Sequence, residues 1–194
     1  NRQTIMTDIE FPITQVPAQD TVMDVRCIAV RPCLDFMADR FGQEKMRRIV
    51  YATRMNYTYL RDDRNWVSYD YAGRLLRKLV EETGDAMAPF HAASLYSNRR
   101  TYKAVGLLLS RFGTPGMTYK VIVQFHSMWS RNCDWEMVDS SENACTIKIS
   151  YPRSKLDRNY CLAIQGFLAA VPKMFFGLPL AEVKEQACAG DGAD

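Results

Sequence analysis

Residues 133–152 read CDWEMVDSSENACTIKISYP, and this stretch decides the fold class. Cys145, Ile147 and Ile149 alternate with Thr146 and Lys148, the period-two pattern of a half-buried strand. Ser140-Ser141-Glu142-Asn143 is a run of turn formers, and the residues before it supply a second extended segment. The spacing predicts two strands around that turn, in a chain whose other strong periodicities are helical.

Upstream, Thr114-Pro115 supplies an N-cap followed by proline at the first helical position. Behind it Met117, Val121, Phe125 and Met128 recur at helical spacing. An earlier stripe, Tyr102, Val105, Leu108, Leu109 and Phe112, stops at Gly113. Ser68 caps YDYAGRLLRKLVEETG, whose apolar face is Ala72, Leu75, Leu76 and Leu79 and whose stop is Gly84. Asp85 caps a short helix that tolerates Pro89 near its first turn. Pro32 opens a helix with Leu34, Met37 and Phe41 on one stripe, closed by Gly42, and a second helix runs from Glu44 to about Leu60. Thr21 to Val30 predicts a short strand, while residues 1–20 lack periodicity and read as a linker or arm.

Downstream, Asp157 caps a long apolar helix through Tyr160, Ile164, Phe167, Leu168, Val171 and Phe175, with Pro172 as its kink. Leu180 to Cys188 alternates again and is expected to return as a strand. Helices first, then strand–strand–helix–strand, predict an α+β fold in which N-terminal helices pack on a small antiparallel sheet. Residues 21–194 are expected to form one domain. The closing Ala-Gly-Asp-Gly-Ala-Asp reads as a hairpin turn, so a further strand is expected beyond Asp194 and the chain reads as a piece of a longer polypeptide.

Bulk properties narrow the function. With 25 basic and 22 acidic residues in 194, the net charge of +3 is too balanced to point to nucleic acid. The longest apolar stretch, Cys161 to Val171, contains Gln165 and is about half the length of a membrane span. Six cysteines show no C-x-x-C pair and no secreted-scaffold spacing, which favours reduced thiols and a cytoplasmic protein. Nucleophile elbows, zincin helices, phosphate loops and dinucleotide fingerprints are absent, so no catalytic residue is assigned. Of two histidines, His126 lies beside Phe125 and one turn from Ile122 and Trp129. It reads either as a ligand or haem contact or as a core-edge imidazole bonded to a carbonyl.

The order of elements resembles the small-molecule-binding superfamily that holds vinyl-reductase-type domains, haem NO-binding (H-NOX) domains and TRAPP transport-particle subunits. NWVSYDYAGRLLRKLVEETGD, NYCLAIQGFLAAVPKMFFG and EVKEQACAGDGAD carry the likeness. The vinyl-reductase-type branch is similar in ending on a cysteine strand, a Gly/Asp turn and a second cysteine strand. Cys188 and Gly190-Asp191-Gly192 match its first half. The resemblance implies a non-catalytic sensory domain of a bacterial signalling protein, attached to a diguanylate cyclase, nucleotide cyclase or histidine kinase output. It implies a small apolar ligand between the helical layer and the sheet, contacted by Phe125, His126, Trp129, Tyr160, Ile164 and Phe167, and a homodimer without membrane insertion. It also makes Cys188 a metal ligand, in company with a cysteine beyond the chain. Haem is disfavoured, because Tyr151-Pro152-Arg153-Ser154-Lys155 departs from the Y-x-S-x-R signature and no histidine stands at Leu109 to Pro115. A structural scaffold of TRAPP type, or a haem-based gas sensor, is the alternative.

Overall fold

The computed structural model describes residues 17–96, 113–141, 143–152 and 156–188. The stripe Tyr102–Phe112, residues 153–155 of the haem-like motif and the Gly/Asp turn lie outside them. An α+β fold is what the described residues form: seven α-helices with two antiparallel two-stranded ladders.

The chain enters through a 3-10 turn at Ala18–Asp20 and β1 (Val25–Arg26), then α1 (Cys27–Phe41). A strand over Thr21–Val30 is thus cut to two residues, and helix α1 starts five residues before Pro32. The reason is burial. Cys27, Val30, Leu34 and Met37 are all buried and recur every three or four residues, so the apolar stripe continues through the proline. The helix expected from Glu44 to Leu60 divides into α2 (Gln43–Ala52) and α3 (Tyr57–Arg61). Arg54 takes a left-handed φ of 63° between them, and the Asn56 side chain accepts the Thr58 N–H at 2.7 Å to start α3.

β2 (Trp66–Val67) pairs with β1 in the register Val25↔Val67 and Arg26↔Trp66. α4 (Tyr69–Thr83) begins where Ser68 Oγ accepts the Tyr71 N–H at 3.0 Å and ends at Gly84, whose φ of 66° suits a left-handed cap. α5 (Ala88–Tyr96) follows, with Asp85 accepting the Met87 N–H at 2.8 Å. α6 (Pro115–Gln124) has Thr114 as its N-cap and passes into a 3-10 turn at His126–Met128. The hairpin β3 (Asp134–Ser140) and β4 (Cys145–Ser150) keeps Trp135 opposite Ile149 and Met137 opposite Ile147, with a bulge at Val138. α7 (Arg158–Phe176) is capped by Asp157, which accepts the Asn159 N–H at 2.9 Å.

Two expectations fail here. Leu180 to Cys188 forms no strand, because it lies beside α7 and finds no ladder partner among the described residues. The apolar stripe of α6 also faces outward: Met117, Phe125 and Met128 are about half exposed, whereas Thr118, Ile122 and Val123 are buried. α6 is apolar on more than one side, and Ile122 wins the core by packing with Val171 and Phe175 of α7.

Backbones approach closely where α5 lies along α7. A Cβ at Gly166 would collide with the Phe90 carbonyl oxygen, so glycine alone permits the approach. α6 is held to α7 in another way. Pro172 has no N–H for the carbonyl of Leu168 one turn back, and the Tyr119 hydroxyl donates to that oxygen at 2.8 Å.

Candidate functional site

Two features of the described residues carry chemistry, and both use α7. The first lies along its outer side. After Gly177 the chain turns back, and the Ala181 N–H donates to Ala169 at 2.9 Å, so the C-terminal segment runs along α7 towards its start. It ends at Cys188, which is buried. There Cys161, Glu185 and Cys188 converge, with their ligand atoms all within 4.8 Å of one another. Two thiol sulfurs and a carboxylate form a donor set suited to zinc or a similar thiophilic divalent ion. A tetrahedral ion with Zn–S bonds of about 2.3 Å holds its ligands about 3.7 Å apart, so about 1 Å of inward movement completes the contacts. Glu185 is exposed and its long side chain can supply that movement. Three protein ligands leave a fourth position for water or another group.

Cys188 therefore stands in a metal-competent cluster with two residues that sequence reading passed over. Cys161 reads as a small hydrophobe inside an apolar helix, and nothing in a linear pattern places it against residues 24 and 27 positions later. The one local signal is Glu185-x-x-Cys188 itself.

The second feature lies between the hairpin and the start of α7. Tyr69, Tyr151 and Tyr160 interlock edge to face, with ring centroids 5.2 Å (Tyr69–Tyr151), 5.3 Å (Tyr69–Tyr160) and 6.5 Å (Tyr151–Tyr160) apart. The Tyr69 hydroxyl lies 2.8 Å from Ser130 Oγ and donates to the Arg131 carbonyl at 2.5 Å. Burial, the largest cause, pushes all three phenols well above their ordinary range, so each is a neutral hydroxyl. Asp24 anchors the segment that leads into β3: its carboxylate accepts the Tyr69 N–H at 3.1 Å and the Asn132 amide at 2.6 Å. Asn132 itself sits at a φ of 56°.

His126 closes the same corner. Its Nδ1 lies 2.8 Å from the Val123 carbonyl and its Nε2 3.2 Å from the Cys133 carbonyl, while the ring stacks on Trp135 at 6.0 Å. Both ring nitrogens face backbone oxygens, which matches the core-edge reading of this residue. Tyr160, Ile164 and Phe167 share one stripe of α7, and Trp129 packs with Phe167 around Ile122, Val171 and Phe175. Phe125 is 47% exposed and stands apart from them. Trp135, which the sequence pattern does not mark as a ligand contact, packs against both apolar clusters and joins them.

His91 offers no second cluster. Its Nδ1 lies 3.1 Å from Asp85, the residue that caps α5, and the Met87 N–H, then His91, hold the Asp85 carboxyl below its usual value. No helix among the described residues is long and apolar enough to cross a membrane. No protein-family model, curated protein or solved structure matches this chain.

Proposed function

We propose that this chain is a non-catalytic regulatory module that binds a small, mainly apolar molecule and reports its occupancy to an attached signalling output, with its C-terminal segment clamped to α7 by a zinc-type ion. The convergence of Cys161, Glu185 and Cys188 is the observation that carries the clamp. A ligand site between the hairpin and the Tyr160–Ile164–Phe167 stripe touches the start of α7, and the clamp ties that helix to the segment that leaves the module. Ligand binding that favours one position of α7 would thereby bias the exit of the chain. The six cysteines form no disulfide, which supports a reducing, cytoplasmic setting.

Metal analysis of the purified protein tests the clamp. About one zinc per chain is expected, lost in the Cys161→Ser and Cys188→Ser variants together with protection of the C-terminal segment from proteolysis. Metal-free protein with an equally protected segment refutes it.

The exposed apolar residues Met117, Phe125 and Met128 favour a second reading, in which α6 presents a docking face for a second copy or a scaffold partner. Sedimentation of the intact chain and of the Phe125→Ser variant tests this face: a dimer that Phe125→Ser dissociates supports it, and a monomer in both, or a dimer that the variant leaves unchanged, removes it.

A further inference from the structure

Three tyrosines meet at the corner between β4, α4 and α7, and their hydroxyls are not treated alike. That of Tyr69 meets Ser130 Oγ and the Arg131 carbonyl. That of Tyr151 is shut off from solvent and has no hydrogen-bond partner among the described residues. The indole N–H of Trp135 is in the same condition. Buried donors are nearly always paired, because leaving one unmade forfeits its hydration with no return.

The hairpin register brings the two together. Trp135 lies opposite Ile149, and strand alternation places Tyr151 on the face that Ile149 shares, diagonal to Trp135. Stacking on His126, whose two nitrogens lie against backbone carbonyls, holds the indole plane. Tyr69 and Tyr160 hold the Tyr151 ring edge to face.

We infer that Trp135 Nε1 and Tyr151 Oη are the paired donors of a buried site for a neutral, mainly apolar small molecule bearing an acceptor oxygen, such as a ketone or quinone. The inference rests on the ligand-binding reading above and names the chemistry of that ligand. An indole N–H only donates, so its partner is an acceptor. After burial, the groups that raise the Tyr151 phenol are Tyr160, Tyr69, Cys133 and Cys161, hydroxyls and thiols without a full charge. None of these four groups offers a carboxylate or an ammonium a counter-ion, and the desolvation of such a charge would oppose binding. Ile149 lies opposite Trp135 in the hairpin, and Ile164 and Phe167 pack on the two clusters that Trp135 joins, so these three are the apolar walls of the inferred site.

Acetophenone, ethylbenzene and benzoate are the probes, added to the intact chain and followed by calorimetry and by the indole N–H resonances in a proton–nitrogen correlation spectrum. The Trp135 resonance is assigned by its disappearance in Trp135→Phe. Acetophenone is expected to bind, to move that resonance downfield and to bind about fivefold more weakly in Trp135→Phe and in Tyr151→Phe. Ethylbenzene, of the same shape without the oxygen, is expected to bind more weakly than acetophenone and to leave the resonance in place. Benzoate is expected not to bind. If acetophenone and ethylbenzene bind alike with the Trp135 resonance unmoved, the donor assignment is wrong while a ligand site remains. If neither binds, the ligand-binding reading falls and takes this inference with it. The resonance shift is read on the unaltered chain, and cross-relaxation with the stacked His126 ring assigns the Trp135 resonance if Trp135→Phe misfolds, so misfolding of either variant leaves the test intact.

Discussion

Removing the Tyr119 hydroxyl tests whether a side chain repairs the gap that Pro172 leaves in α7. The Leu168 carbonyl has no helical donor, since residue 172 carries no N–H, and Tyr119 Oη supplies one at 2.8 Å. Tyr119→Phe keeps the ring and deletes that bond. An orphaned buried carbonyl costs about 1–3 kcal/mol. Tyr119 and Leu168 are half-buried, so water reaches part of the site and about 1–2 kcal/mol is expected. For a chain of this size each kcal/mol lowers Tm by about 2–4 °C, which gives about 2–8 °C by calorimetry. The decisive measurement is a double-variant cycle with Pro172→Ala. Alanine restores a donor to the Leu168 carbonyl, so Tyr119→Phe should then cost less than about 0.5 kcal/mol, a coupling of about 1 kcal/mol. An equal cost in both backgrounds refutes the repair and leaves Tyr119 a packing residue only.

Gly166→Ala forces a methyl group into the Phe90 carbonyl oxygen, and neither backbone can yield cheaply. Overpacking of about 3 kcal/mol outweighs the roughly 1 kcal/mol gain in helix propensity, so Tm is expected to fall by about 4–8 °C, and an unchanged or raised Tm contradicts the close approach. Asp157→Ala removes both the α7 cap and the 2.9 Å ion pair with Arg77, for a loss of about 1–2 kcal/mol in urea unfolding. Asp157→Asn keeps the cap and should recover most of it; an asparagine as damaging as alanine would show that charge, not capping, matters. Burial pushes the Cys33 thiol up to about 12. Its folded pKa lies above the unfolded value, so this contribution is complete below about pH 8.5 and declines by about 1.4 kcal/mol per pH unit as pH rises towards 12. Cys33→Ala should flatten that part of the alkaline stability profile, and an identical profile would place the loss elsewhere.

Much of the fold is legible residue by residue. Ser68, Asp157 and Thr114 act as the N-caps their positions announce, and Gly84 terminates its helix in the left-handed region. The hairpin forms where the apolar period changes from helical to two. These signals are local, since a cap or a turn is satisfied within a few residues of itself. Pro32 misleads because its preference for a first turn competes with a buried stripe that extends to Cys27, and packing outweighs the local preference. Leu180–Cys188 misleads in the opposite sense. Alternation permits a strand, but a strand exists only where another backbone offers a ladder.

The site was legible in part. Tyr160, Ile164 and Phe167 share a stripe because helical spacing dictates it. Which face of α6 is buried, that both His126 nitrogens meet carbonyls, and that Trp135 and Tyr151 hold unmatched donors all depend on segments far apart in sequence. The meeting of Cys161 with Glu185 and Cys188 is of the same kind. By itself the sequence determined elements, caps and class, because those are set by interactions within one or two turns. The tertiary structure decided which polar atoms are paired and which thiols converge, because hydrogen-bond satisfaction and donor geometry belong to the packed whole.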